Sequence, residues 1–397
     1  MKFKFEQNHK ILFFCLFLTP LIGLGLDLYT PSLPAITEHF HISHYAAKLT
    51  IILYLAGFGI AQPFVGIICD RIERKLFITG SLILYFLSAL GSAWSLSIDM
   101  FYVFRIINSI SGSCIGVSIK SILLDHFSGK GLAKANNYFT MGWSLTPMIA
   151  PVIGGYLQHY FGWQYNFYFM GFYSFIAWLL AIYFLPKKQI QKEVLFISIA
   201  KKWKILFSDY RFVASIFILS VENIILFIYY TVAPFIIQNT LHFNAAQYGQ
   251  IILLVGVFYL LGNILNGWLL NHIQLEKIIG AGIAISILFA LMSMASLKLM
   301  TVSHHALIYF VTIPIYFIFL CDGFIFANVM TMALSNYSRF SGTAAGLLVG
   351  LLNVVAAIAV AACARWLDLH NLFILNTTYF VFLCISLVLF FLTKKNK

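Results

Sequence analysis

Charge is what this sequence has least of: Asp, Glu, Lys and Arg make up 10% of its 397 residues, and only 13 side chains are acidic. A soluble globular domain carries roughly 25% charged residues, so the shortage excludes a soluble enzyme. The 61% hydrophobic content likewise excludes a disordered or collagen-like chain. Cysteine is sparse as well. Cys15, Cys69, Cys114, Cys321, Cys363 and Cys384 lie in or at the ends of apolar runs without C-x-x-C spacing, which argues against a disulfide framework or a metal site. No G-x-x-x-x-G-K-[ST] motif occurs, so ATP-driven pumping has no support. The histidines stand at helix ends or in loops, and His304-His305 form a pair in an outer turn. None has helical metal spacing with a carboxylate partner, so no metal is expected.

What is present is hydrophobic length. A bilayer core of about 30 Å needs about 20 apolar residues per helix. Twelve stretches qualify, at 11–36, 47–69, 76–97, 101–124, 135–158, 163–185, 212–236, 246–270, 277–299, 306–330, 342–364 and 371–393. Nothing resembles the short alternating strands of a membrane barrel. Lys2, Lys4 and Lys10 precede the first run as they would in a signal peptide. That run continues through Tyr29 with no clear small-x-small cleavage site, so it reads as a retained first span.

The net charge of +12 is explained by topology. With the N-terminus inside, twenty Lys and Arg fall in internal segments, three outside (Lys48, Lys298, Arg365) and two within spans (Arg105, Lys120). This fits the positive-inside rule, with both termini cytoplasmic and the chain multi-pass in the inner membrane; no nucleic-acid surface is expected. The longest internal loop divides the chain into a six-helix bundle over 1–186, a cytoplasmic linker over 187–211 and a second bundle over 212–397. Within the linker, Val194 to Phe207 mixes apolar residues with Lys201, Lys202 and Lys204, as a short amphipathic surface helix would. It serves either as a tether or as a contact for anionic lipid.

The halves also match each other. Gly66-Ile-Ile-Cys-Asp70-Arg71 closes span 2 where Gly267-Trp-Leu-Leu-Asn271-His272 closes span 8. Duplicated six-span halves are a transporter architecture. The expected fold is therefore an all-α membrane protein with twelve transmembrane helices in two pseudo-symmetric bundles.

At this point the chain resembles the major facilitator superfamily over essentially its whole length, and within it the twelve-span drug:proton antiporters. Asp27-Leu-Tyr29-Thr-Pro31-Ser-Leu-Pro34 in span 1 and Gly342-Thr-Ala-Ala-Gly346-Leu347 in span 11 are similar to the Bcr/CflA-like branch. The superfamily's loop motif appears as Gly66, Asp70, Arg71, Arg74 and Lys75, with Glu73 where a glycine is usual. The resemblance gives this loop a role in bracing the inner gate. Span 5 carries Ala150-Pro151-Val-Ile-Gly154-Gly155, similar to the exporter motif, although Gly142 is one residue out of register with its first glycine. That motif implies export, and its Pro and Gly permit a bend and close helix contact. Arg105-Ile-Ile-Asn108-Ser109 in span 4 is similar to a further family pattern, from which Asn108 and Ser109 depart.

An ionisable residue inside a span costs about 2.5–3.5 kcal/mol on insertion scales, so each one is a functional candidate. Lys120 lies near a helix end and is expected to snorkel. Asp27 and Arg105 each fall about 6 Å from the outer face at 1.5 Å per residue, a level at which they can pair. The pairing has two readings: proton coupling, with Asp27 loading outside and releasing inside, or a static ion pair. Glu222 lies near the midplane of span 7 and is expected to meet a cationic substrate group, to share in proton coupling, or to make a plain helix contact. Asp322 in span 10 is a weaker candidate of the same kind. Asn108, Tyr229 and Tyr230 complete the expected substrate cavity, whose aromatic wall would suit lipophilic cations.

Together these readings predict a proton-driven exporter, not an enzyme. It would move small lipophilic or cationic compounds by alternating access, work as a monomer and use the proton gradient in place of a cofactor. Export of an endogenous metabolite such as a siderophore, nutrient uptake and a non-transporting receptor remain as alternatives.

Overall fold

The computed structural model describes residues 2–69, 71–127, 129–185, 197–299, 307–365, 367 and 372–395. Its elements are helices: α1 (Lys2–Asp27), α2 (Leu33–His39), α3 (His44–Cys69), α4 (Arg74–Ala93), α5 (Ile98–His126), α6 (Gly129–Phe161) and α7 (Gln164–Phe184). There follow α8 (Ile197–Ser208), α9 (Tyr210–Phe235), α10 (Ala245–Leu269), α11 (Leu275–Leu299), α12 (Leu307–Leu334), α13 (Ser341–Ala364) and α14 (Leu372–Lys395). Among the described residues eleven helices are long and apolar enough to cross a membrane. The twelfth span, α6, has ample length at 33 residues, about 50 Å.

The chain forms two compact units, Met1–Leu195 and Phe196–Lys397. Each repeats one packing plan. In the first, α1 packs on α5, α6 and α7; α5 packs on α3 and α4; and α4 packs on α7. In the second, α9 packs on α12, α13 and α14; α12 packs on α10 and α11; and α11 packs on α14. Replacing α1, α3, α4, α5, α6 and α7 by α9 to α14 in order turns the first set of neighbours into the second, which is the internal duplication in three dimensions.

Where two backbones approach closely the sequence supplies glycine. On α10 a Cβ at Gly262 would overlap the Leu320 carbonyl of α12, and one at Gly323 would stand 2.7 Å from the Tyr259 oxygen. Small residues at a crossing let helices pack by van der Waals contact, the main attraction available in lipid. The short helix α8 belongs to the second unit. Its Leu206 is wholly buried with Phe212, Ile279 and Leu348, while Lys201 and Lys204 are exposed. Asp209 caps α9 by accepting from the Arg211 amide at 2.9 Å, and it also accepts from the Tyr337 hydroxyl. None of the six cysteines is in a disulfide.

Candidate functional site

In the first unit the chain bends at the motif that opens Asp27-Leu-Tyr29-Thr-Pro31. Asp27 ends α1, and a single 3-10 turn over Thr30–Ser32 leads into α2, with Pro31 pre-set for its first turn. Three neighbours hold the bend. The Tyr29 hydroxyl lies 2.9 Å from Thr50 Oγ1 on α3, and Asn166 of α7 donates to Ser32 Oγ at 2.7 Å. Gly154 of α6 lets the Leu28 carbonyl come so close that a Cβ would overlap it. The exporter-motif glycine therefore has a definite steric task, while Pro151 and Gly155 are buried along the same helix.

Arg105 of α5 reaches into this bend and is 0% exposed. Its Nη2 donates to the Gly25 carbonyl at 2.5 Å. Its guanidinium carbon stands 4.2 Å from the Tyr29 ring centre, 4.5 Å from that of Tyr54 and 5.8 Å from that of Phe167. Desolvated cation–π contacts are worth about 2 kcal/mol each, which offsets part of the cost of burying the charge. The expected ion pair between Asp27 and Arg105 is not formed: among the described residues Arg105 has no carboxylate at ion-pair distance, and its Nε and Nη1 have no partner. At 100° per residue Asp27 and Gly25 lie on opposite sides of α1, so a guanidinium drawn to Gly25 is drawn away from the Asp27 side chain. Tyr54 is within electrostatic reach of both charges, and its hydroxyl has no hydrogen-bond partner. Asn108 is buried one turn along α5 and donates to Ser88 Oγ at 3.1 Å, so it faces the interior of its own unit.

Tyr29, Tyr54 and Asn166 were not assigned individual roles from the sequence. An Asn among the aromatic and apolar residues of a span is the signal the sequence offers for Asn166, and the structure buries it wholly.

In the second unit Glu222 of α9 and Asp322 of α12 are 2% and 8% exposed. They do not stand singly, as their separation in sequence implied, but are close enough for their charges to interact. Tyr229 and Tyr230 are buried further along α9, and Tyr229 faces Tyr248, Tyr316 and Tyr379 in a cluster of phenols.

The loop motif ties together helix ends of the first unit. Arg74 donates through Nη1 to the Cys69 carbonyl at the end of α3, and its Nε lies 3.4 Å from Asp125 Oδ2 of α5. Lys75 Nζ donates to the carbonyls of Ile182 and Leu185 at 2.7 and 2.8 Å, placing a cation on the C-terminus of α7. Glu73, in place of the usual glycine, has φ −53° and ψ 127°, a conformation open to any residue, so this turn has no need of glycine. Gly66 has no atom within 4 Å of where a Cβ would stand, and Arg71 is exposed. Asp70 lies outside the described residues.

Two duplicated six-helix units, each with ionisable side chains buried in its spans, define a multi-pass membrane transporter. A family model described as Major Facilitator Superfamily matches residues 12–361, and the chain belongs to that family. It is 26% identical over 330 residues to the multidrug resistance protein MdtL of Shewanella oneidensis, covering 82% of this chain and 81% of the relative. It is 25% identical over 274 residues to the bicyclomycin resistance protein homolog of Haemophilus influenzae, covering 68% of this chain and 69% of the relative. Both names fit the drug-exporting branch that the span 1 and span 11 motifs resemble. The crystal structure of a D-xylose–proton symporter superposes with a TM-score of 0.78 at 14% identity, over 96% of this chain and 95% of that one, and so shares the fold.

Proposed function

We propose that this transporter is a proton-coupled exporter of small lipophilic or cationic compounds, multi-pass in the inner membrane with both termini cytoplasmic. The relatives named for multidrug and bicyclomycin resistance support the substrate class. The observation that carries the coupling is the buried pair of opposite charges in one unit, Asp27 and Arg105, held apart with two guanidinium nitrogens unpartnered. Such an arrangement has two states. In the first, Asp27 is protonated and Arg105 rests on the Gly25 carbonyl between Tyr29 and Tyr54. With Asp27 ionised, the carboxylate is an uncompensated buried charge, and the free Nε and Nη1 groups are the donors that meet it. Exchange between the two reshapes the α1 bend, which α6 touches through Gly154. Loading from outside and release inside would then drive substrate outward by alternating access.

The test is energised extrusion of a fluorescent lipophilic cation from efflux-deficient cells, with and without a protonophore, comparing wild type with Asp27→Asn at matched membrane abundance. Protonophore-sensitive extrusion that the variant lacks is expected. Uphill extrusion by the variant at the wild-type rate would refute the role of Asp27. Absence of extrusion by wild type would refute broad drug export.

A further inference from the structure

The second unit holds a different arrangement of charge from the first. Along α9, α10, α12 and α13 the charged residues are Arg211, Glu222 and Asp322 alone. Arg211 is in the first turn of α9, eleven residues or about 16 Å from Glu222. The basic residues of α11 and α14 (Lys277, Lys298, Lys394 and Lys395) likewise stand within a turn of a helix end. Two carboxyl groups thus share the apolar interior of one bundle, and its helices bring no cation to their level.

The neighbours do not make up the deficit. Tyr259 of α10 is within electrostatic reach of Asp322, and Cys321 of α12 is within reach of both carboxyls. Ser286 of α11 stands beside Cys321. From α13 no acidic or basic residue is available, and Tyr379 of α14 faces Tyr229 instead. Glu222 Oε1 and Asp322 Oδ1 are both buried with no hydrogen-bond partner. Two buried carboxylates whose charges interact, on helices packed together, resist ionising together, and a protonated carboxyl supplies a donor of the kind its ionised neighbour lacks. Asp322 is also held firmly: Gly323 beside it packs backbone to backbone on α10, against Tyr259, Gly262 and Asn263.

We propose that Glu222 and Asp322 together form a single proton-binding site inside the second unit, separate from Asp27. It rests on the reading of the protein as a proton-coupled exporter, to which it adds a second place where a proton is carried. The proton is shared by the two side chains, so the pair titrates as one unit carrying a single negative charge. Both side chains are buried, at 2% and 8% exposure, a setting that suits a proton better than a bulky organic cation.

The test is infrared pH-difference spectroscopy on the full-length protein in lipid nanodiscs, reading the C=O stretch of protonated carboxyl groups. Wild type and Asp27→Asn should both show a protonated-carboxyl band at neutral pH. Glu222→Gln and Asp322→Asn should each remove that same band, and the double variant should remove no more. Two bands lost separately, one per variant, would overturn the shared site. So would an Asp27→Asn protein with no such band, a result that does not depend on the pair variants folding. The spectrum needs no transport, so the two readings fail separately. Proton-driven, Asp27-dependent extrusion without the band would sink the pair alone. The band in a protein that extrudes nothing would uphold the site and sink the exporter reading.

Discussion

Replacing Gly154 with alanine adds one methyl group where the structure has no space for it. The new Cβ would stand 2.7 Å from the Leu28 carbonyl carbon and closer still to its oxygen, whereas ordinary Cβ contacts begin near 3.4 Å. Both partners are backbone, so neither yields by changing a rotamer. The chain just after Leu28 is also pinned, since the Tyr29 hydroxyl meets Thr50 and Asn166 holds Ser32. Overpacking of this kind costs about 1–3 kcal/mol, while Gly to Ala within a helix returns about 0.5–1 kcal/mol. The net expectation is a loss of about 1–2 kcal/mol. Gly66→Ala is the matched control: it sits in α3 with open space around the new Cβ, so only the gain applies. Thermal unfolding in one detergent should therefore rank Gly66→Ala at or above wild type and Gly154→Ala several degrees below. The displaced bend should also weaken drug extrusion in the second variant. A Gly154→Ala protein as stable and active as Gly66→Ala would refute the claim that this glycine is required by the Leu28 carbonyl.

Other perturbations follow from the same contacts. Gly323→Ala should destabilise the second unit by about 1–3 kcal/mol in the same assay, because its Cβ would meet the Asn263 nitrogen and the Tyr259 oxygen at 2.7 Å; an unchanged melting point would contradict the close α10–α12 crossing. Glu73→Gly, which restores the usual motif residue, should give no gain and cost up to about 1 kcal/mol, since φ −53° makes no use of glycine. A rise in its melting point would show the turn to be strained. Lys75→Met should lower stability by about 1 kcal/mol through loss of its bonds to Ile182 and Leu185. A greater loss at low salt than at high salt would identify the charge as the cause, and an equal loss would assign it to packing.

The spans were legible because the bilayer imposes one strong rule, a run of apolar residues long enough to cross it, and each of the twelve expected stretches lies mostly within a helix of the structure. Asp27 and Arg105 were placed at one level by counting residues, and both are indeed buried in the same unit. Counting could not choose the partner of the guanidinium. That depended on the chain bending after α1 and delivering Tyr29 as a ring for Arg105 to lie on, a contact of rotamers and turns with no signature in spacing. The meeting of Glu222 and Asp322 was hidden for a related reason: a hundred residues separate them, and only the packing of α9 on α12 closes the gap. Glu73 shows the opposite limit. A family pattern suggested a turn that needs glycine, and the local backbone adopts an ordinary conformation instead.

Proton movement driven by substrate tests the central claim most directly. The protein would be reconstituted into liposomes with an acidic lumen and an entrapped pH-sensitive dye, and a lipophilic cation would then be added outside. Coupled exchange predicts that the cation alkalinises the lumen when the wild type is present and does so no faster than empty liposomes with Asp27→Asn. A lumen pH that ignores the cation in the wild type, or responds equally in the variant, would contradict proton-coupled export through Asp27.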